Sequence, residues 1–347
     1  MGDIEKRLNK TALKKATGNW ATEEQVDGAG NGILPLNANV PSLSAAVLED
    51  RSAASPFETY LKCGNIDPVD FGLEFDLRYH GLGPLIAGAF GSAATPQQQG
   101  TTSAWLHALS LADKVAGIYY TYATEQLDKF LVVPSIKVQK LIFSVADGKV
   151  KLTVQCRGDN VLYDSTVITT LAAVTTPDLE NIALADEGVF RMNVQGGAAL
   201  ASGDEVKVKN FTLEIERRGF EPHYNIGSKS MIEPLEGEEK PLVRLTIEMN
   251  RMDNTNKAYF ADWKAGNEKK ADFVFTGALI EDTYYNYFKF QFPRLRFEVP
   301  PVYEDASVIP AKIILRGVLA SSAPLGMTGL TKPVYLDIMN KRTTIML

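Results

Sequence analysis

The 347-residue sequence predicts a mainly β protein built from two similar β-sandwich or β-barrel domains, each with one short flanking helix. Three observations carry that reading. Apolar and polar residues alternate along much of the chain, as where Leu73, Phe75, Leu77 and Tyr79 interleave with Glu74, Asp76 and Arg78. A period of two gives each strand one core face and one wet face. Only two stretches have helical character, too few for a doubly wound sheet or an α/β barrel, which need a crossover helix after nearly every strand. The order of elements in the first half also returns in the second.

Taken in order, residues 1–41 are polar and turn-rich, and GAGNGILPLNANVP (28–41) reads as a flexible or extended arm. A half-buried strand is expected at 42–50, followed by the alternating strand at 73–79. GLGPLIAGAFG (81–91) has the apolar density of a short helix between glycines, with Pro84 in its first turn. A missing N–H costs nothing there. After the polar loop SAATPQQQGTTS come strands at AWLHALSL, AGIYYTYAT (116–124) and KFLVV (129–133). KVQKLIFSV and KVKLTVQCRG follow, separated by Asp147–Gly148, a tight-hairpin pair. Residues 171–205 read as a linker with one short strand, GVFRMNVQ (188–195). The β pattern resumes with VKVKNFTLEIERR and PLVRLTIEM (241–249), then a helix over 254–266. Strands KADFVFTGALI, TYYNYFKFQF, RLRFEV and AKIILRGVLA complete the second half. The expected domains are therefore 42–170 and 206–321, and the C-terminal arm 322–347 holds one more candidate strand, KPVYLDIM.

The two halves run in parallel. Each reads as an alternating strand, a short helix ending at a glycine (Gly91, Gly266), a polar turn, a strand, an aromatic strand, a proline, two strands and Arg–Gly. Pro134 and Pro293 are 159 residues apart, and so are Arg157–Gly158 and Arg316–Gly317. The N-terminal piece extends the parallel loosely, SLSAAVLEDRSAASPFETYLKCGN matching FTLEIERRGFEPHYNIGSKSMIEP. A chain with two similar domains can place both around one ring, so that three chains supply six near-equivalent positions. Rings require a head-to-tail interface that closes.

Composition narrows the function classes. With 36 basic and 42 acidic side chains, the formal charge of −6 does not fit a protein that wraps a phosphate backbone. It does not exclude one that nucleic acid passes without sticking. The first 15 residues lack the apolar core of a secretory signal, and no apolar run approaches the ~18 residues of a membrane span. Cys63 and Cys156 are far apart, without metal-ligand spacing, and are expected as buried or half-buried thiols. His80, His107 and His223 form no metal-binding motif, and His107, on a period-two strand, reads as structural. There is no nucleophile elbow, P-loop or dinucleotide fingerprint, so no catalytic, cofactor or metal residue is expected and the chain is not read as an enzyme. Glu236, Glu238 and Glu239 in IEPLEGEEKP read as an exposed turn. The aromatics Tyr284, Tyr285, Tyr287, Phe288, Phe290 and Phe292 fall on both faces of one strand. Covering both faces takes a second layer or a neighbouring subunit.

The run from Asn210 through Glu298 resembles the major tail tube proteins of long-tailed, siphovirus-like bacteriophages, in their duplicated-domain form. The residues that carry the resemblance are Tyr224, Gly227 and Ser228, then Glu233, Pro234 and Gly237, then Gly266, then Phe275, Thr276 and Gly277, and finally Pro293. In the first half FGLEFDLRYHGLGPLIAGAFG resembles the family's strand and helix opening but lacks the Glu-Pro-x-x-Gly loop. The resemblance covers roughly residues 42–320. It implies a fold of phage tail tube type and a structural subunit of the virion, made in the host cytoplasm. Such subunits form stacked rings around a channel for viral DNA, as homotrimeric pseudo-hexamers or as hexamers. Implied partners are further copies of the chain, a tape measure protein, a tail terminator and distal tail proteins, with DNA as cargo and no membrane insertion. It further implies inter-ring or inter-subunit contacts in 1–40, 50–72, 221–242 and 322–347, and so at Tyr224, Gly227, Ser228, Glu233, Pro234, Gly237, Phe71 and Tyr60. The alternatives are a head–tail connector or capsid decoration protein, or, from a different class, a carbohydrate-binding β-sandwich protein.

Overall fold

A computed structural model describes residues 10–38, 41–42, 44–49, 61–126, 129–163, 165–175, 177, 181–249, 258–303 and 311–347. The first repeat begins with β1 (Thr11–Lys15), β2 (Gly32–Ile33), β3 (Asn37–Ala38), β4 (Ala45–Glu49), β5 (Leu61–Ile66) and β6 (Val69–Asp76). It continues through α1 (Gly83–Phe90), β7 (Gln97–Gln98), β8 (Trp105–Ser110), β9 (Tyr120–Gln126), β10 (Lys129–Ala146) and β11 (Lys149–Gly158). The second contains β12 (Gly188–Val194), β13 (Asn210–Glu216), β14 (Leu242–Met249) and α2 (Ala258–Ala265). Then follow β15 (Lys269–Glu281), β16 (Tyr284–Phe297), β17 (Val302–Tyr303), β18 (Ala311–Gly317) and β19 (Tyr335–Asn340).

The mainly β class holds, and the strand pairings are antiparallel. Apart from the β4–β5 pair, the described strands join one large sheet wrapped around a shared core. The repeat is written into the pairing order. One half runs β2–β1–β9–β10–β11–β6–β3. The other runs β12–β15–β16–β18–β14–β13. The 159-residue offset is spatial as well as sequential: Ile136 pairs with Gly158 and Leu295 with Gly317, and Lys137 pairs with Arg157 and Arg296 with Arg316.

Several elements differ from the sequence reading. The two strands expected on either side of Pro134 are one strand, β10, and those flanking Pro293 are one strand, β16. Each proline lies in a register shift, between Val133 and Ile136 and opposite Lys269–Ala271, where no ladder N–H is required. The Pro134 carbonyl still accepts a bond from the Thr121 hydroxyl. The short strand expected within the linker is β12, and the candidate in the C-terminal arm is β19, which pairs with both β16 and β8. The segment read as an N-terminal arm, by contrast, supplies β1, β2 and β3. These strands are short or sit at sheet margins, where local alternation is weakest. Within the expected helix 254–266 the described helix is α2, residues 250–257 lying outside the described chain.

Local chemistry explains the rest. Asp147 and Gly148 both have positive φ (55° and 73°), the left-handed pair of a type I′ hairpin turn. Helix α1 starts with Pro84 in its first turn and stops at Gly91, whose φ of 75° lets its N–H return to the Ala87 carbonyl. The two repeats are joined at the long strand β10. β9 leaves one edge of it near Ile136, and β13 takes over the same edge from Lys140 to Ser144. Across this junction Phe143 meets Phe290 edge-on at 5.0 Å, and Tyr79 stacks on Phe288 at 5.1 Å. On β16, Phe288, Phe290 and Phe292 are buried in the core of this chain, while Tyr285 is exposed and Tyr284 and Tyr287 are half-buried. The phenylalanine face therefore needs no neighbouring subunit. Among the described residues no helix is long and apolar enough to cross a membrane.

Candidate functional site

Chemistry-bearing side chains converge on one place, the segment from Arg217 to Pro241 that leaves β13 and lies over the first repeat. Gln139 is the extra residue of a bulge in β10, and its carbonyl accepts the Arg217 N–H. That bond turns the Arg217 side chain inward, to 0% exposure. Its guanidinium donates to the Ala89 and Phe90 carbonyls at the C-terminal end of α1, each at 2.7 Å, and to the Ala112 carbonyl. Helix C-termini present unsatisfied carbonyls with partial negative charge, so a cation is favoured there. Glu236 completes the set, 3.2 Å from the guanidinium and accepting the Val115 N–H at 2.8 Å.

Lys137 forms the second half of the cluster. It is 1% exposed, pairs with Glu233 at 2.6 Å, and donates to the Val115 and Pro234 carbonyls. Glu233 also accepts the Gly117 N–H, and the Phe220 ring lies 5.4 Å from the ammonium. Burial pushes Lys137 below the usual ammonium range, while Glu233 and Glu236 pull it back up. Burial likewise lowers Arg217, opposed by Glu236. Arg157 adds a third anchor, holding Asp70 in a two-pronged pair at 2.7 Å and donating to the Phe220 carbonyl. The cluster is a clamp: paired charges and satisfied backbone groups fix the segment with Phe220, Met231 and Pro234 inward.

The residues anticipated from the sequence divide accordingly. Glu233 and Pro234 are in the clamp, and Tyr224 donates to the Ile66 carbonyl. Gly227 (φ 89°) and Ser228 lie exposed beside the projecting tip at Ile226. Gly237 is exposed next to Gly219. Phe71 corrects the expectation: it is 8% exposed and packs on Tyr122 at 5.2 Å, because it sits on the inward phase of β6. Tyr60 lies outside the described residues. Glu236 is a second correction, buried where an exposed turn was expected, whereas Glu238 and Glu239 are exposed. Cys63 is exposed and Cys156 buried, both as free thiols, with burial pushing Cys156 up to about 12.

Sequence reasoning missed Lys137 and Arg217. The available signal for Lys137 was its place just after Pro134–Ser135, where a bulge shifts which face points inward. His107, read as structural, is buried with its Nε2 2.9 Å from the Arg342 carbonyl. A pocket of about 120 Å³ beside β12 is lined by Phe190, Phe211, Phe273, Phe275 and Asn210. Among the described residues no three His, Cys, Asp or Glu side chains are grouped to hold a metal.

A titratable group outside the clamp yields a pH prediction. Asp159, 1% exposed, accepts the Ser135 N–H at 3.0 Å inside the β10 bulge. Burial pushes its pKa up to about 7, against the backbone N–H groups that hold it down. An unfolded aspartate titrates near 3.9. The folded state therefore retains this proton between about pH 4 and 7. The resulting stabilisation is complete below about pH 4 and is lost as pH rises through 7. Asp159→Asn keeps an acceptor for Ser135 and should flatten this decline, read as urea midpoints at pH 5 and pH 8. Equal slopes for the variant and the parent would remove Asp159 as the cause.

The fold and clamp together define a mainly β, antiparallel protein in which the segment after β13 is strapped over β10 and α1. No protein-family model and no curated protein matches the chain.

Proposed function

We propose that this chain is a structural subunit of a bacteriophage tail tube, forming stacked rings around a channel that conducts viral DNA. The observation that supports this most is the repeat itself. The inner junction between repeats is satisfied by β10–β13 pairing and by the clamp, and a two-repeat unit of this kind extends by repeating that junction with further copies. Three such chains give six near-equivalent positions; a six-chain ring is the other geometry. The resemblance carried by Tyr224 through Pro293 adds the tail tube family, with a tape measure protein, a tail terminator and distal tail proteins as partners and the virion as location. The charge of −6 suits DNA as cargo, since counterion-release binding would brake its passage.

Negative-stain microscopy with mass measurement of the purified protein tests the reading. The expected result is stacked rings with a central channel and a countable number of subunits per ring. A monomer that shows neither rings nor polymers at high concentration overturns it.

A further inference from the structure

The two repeats differ along one charged row: Lys137 and Arg157 are covered while their counterparts Arg296 and Arg316 are exposed, whereas Asp70 is exposed and its counterpart Arg244 half-buried. In the first repeat Lys137, Arg157 and Asp70 are cross-strand neighbours on β10, β11 and β6. The equivalent positions on β16, β18 and β14 are Arg296, Arg316 and Arg244, again cross-strand neighbours. The Arg217–Pro241 segment buries Lys137 to 1%, yet the side chain of Arg296 is 57% exposed. Arg244 is held by Glu214 and Glu298, and Arg296 by Glu268. Arg316 is exposed and makes no hydrogen bond or ion pair with another described residue, although its charge lowers the pKa of Glu298. Like charges directly opposite in a sheet are destabilising. Glu214, Glu298 and Glu268 offset two of the three arginines, which leaves the exposed Arg316 as the member of the row open to an acidic partner. Beyond the row, Val299 and Val302 are exposed, whereas Phe143 at the corresponding stretch of β10 is buried beneath the inter-repeat junction.

The register also identifies the cover. Asn37 pairs with Glu74 as Asn210 pairs with Glu248, so β3 is the counterpart of β13 and β6 of β14. The chain between β3 and β6 therefore corresponds to the one between β13 and β14 that straps the first repeat. Its described part is the β4–β5 pair, which stands outside the main sheet. A two-stranded sheet alone is marginal in water and gains from a surface to pack on. Residues 44–67 carry four acidic and two basic side chains, suited to the arginine row. Within its own chain this pair meets the second repeat's strap, through Ile66 to the Lys229 carbonyl and Tyr224 to the Ile66 carbonyl.

We infer that the row Arg244–Arg316–Arg296 of one copy is the docking surface for the β4–β5 arm of a second copy, repeating head to tail the strap seen inside the chain. This names the partner surface in the assembly proposed above, but the junction does not require that assembly to be a tube. It also withdraws the exposed arginines from any passing phosphate backbone.

Two variants test it by sedimentation velocity, each first checked for an unchanged thermal transition. Arg316→Glu reverses an exposed charge that makes no hydrogen bond or ion pair with another described residue, so the fold is retained. The second replaces residues 45–66 by a Gly-Ser linker of equal length. The expected result is at least tenfold weaker self-association for each variant alone. An equimolar mixture should give heterodimers and nothing longer, because one intact row meets one intact arm. Self-association of Arg316→Glu at parental strength, or a mixture that stays monomeric, overturns the inference; so does a parent protein that is monomeric at every concentration. Tubes formed equally well by both variants would leave the tail tube reading standing and remove this junction. Head-to-tail oligomers without tubes would do the reverse.

Discussion

Replacing Arg217 by Ala is expected to destabilise the protein by about 3–5 kcal/mol, the range for breaking a buried pair by removing one partner. The substitution strands Glu236, whose remaining bond is to the Val115 N–H, and takes the Arg217 donor from the Ala89 carbonyl at the end of α1, while the Phe90 carbonyl keeps the Ala112 N–H. A buried charge without its counterion carries its desolvation penalty uncompensated. Urea titration reports the loss as a fall in midpoint. Arg217→Lys restores the charge but not the planar fork that reaches four carbonyls and a carboxylate, so it should recover only part of the loss. Glu236→Gln keeps an acceptor for Val115 and should be milder than Arg217→Ala. If Arg217→Ala unfolds at the parental midpoint, the clamp does not hold the segment to the first repeat.

Phe143→Ala is expected to cost about 3–5 kcal/mol, the transfer and cavity terms of a buried phenylalanine. Its placement makes the result more informative than its size. Phe143 lies on β10 between β11 and β13 and meets Phe290 of the other repeat. The repeats share one sheet and one core, so both should unfold in a single transition that shifts as a whole. Circular dichroism would follow both repeats, while the fluorescence of Trp263 on α2, in a background with Trp20 and Trp105 replaced by Phe, reports on the second. Coincident curves before and after the substitution are expected. A variant in which the first repeat melts while the second persists would show that the repeats are energetically separate. A double-mutant cycle with Phe290→Ala should give a coupling of about 0.5–1.5 kcal/mol, as for edge-on aromatic pairs.

Much of the fold was legible because its determinants are local. The period of two placed most strands, Asp147–Gly148 specified its turn, and Pro84 with Gly91 bracketed α1. The Pro and Arg–Gly landmarks spaced 159 apart return in the strand register as three matching cross-strand pairs between β10–β11 and β16–β18. The prolines misled in one respect. They read as strand ends, but a proline is compatible with a strand wherever the ladder already slips, and β10 and β16 continue through theirs.

The clamp was not legible, and the reason is physical. Lys137, Arg217, Glu233 and Glu236 look like ordinary wet residues, because a window of sequence shows a side chain's cost of burial and not the partner that offsets it. Those partners come from positions about 100 residues away, as with Lys137 and Pro234 or Arg217 and Ala112. The sequence by itself determined strand, turn and helix, each set by backbone conformational preference and side-chain alternation over a few residues. Only the tertiary structure decided which charges are buried and which row of arginines stays open, since desolvation and pairing depend on what the fold brings overhead.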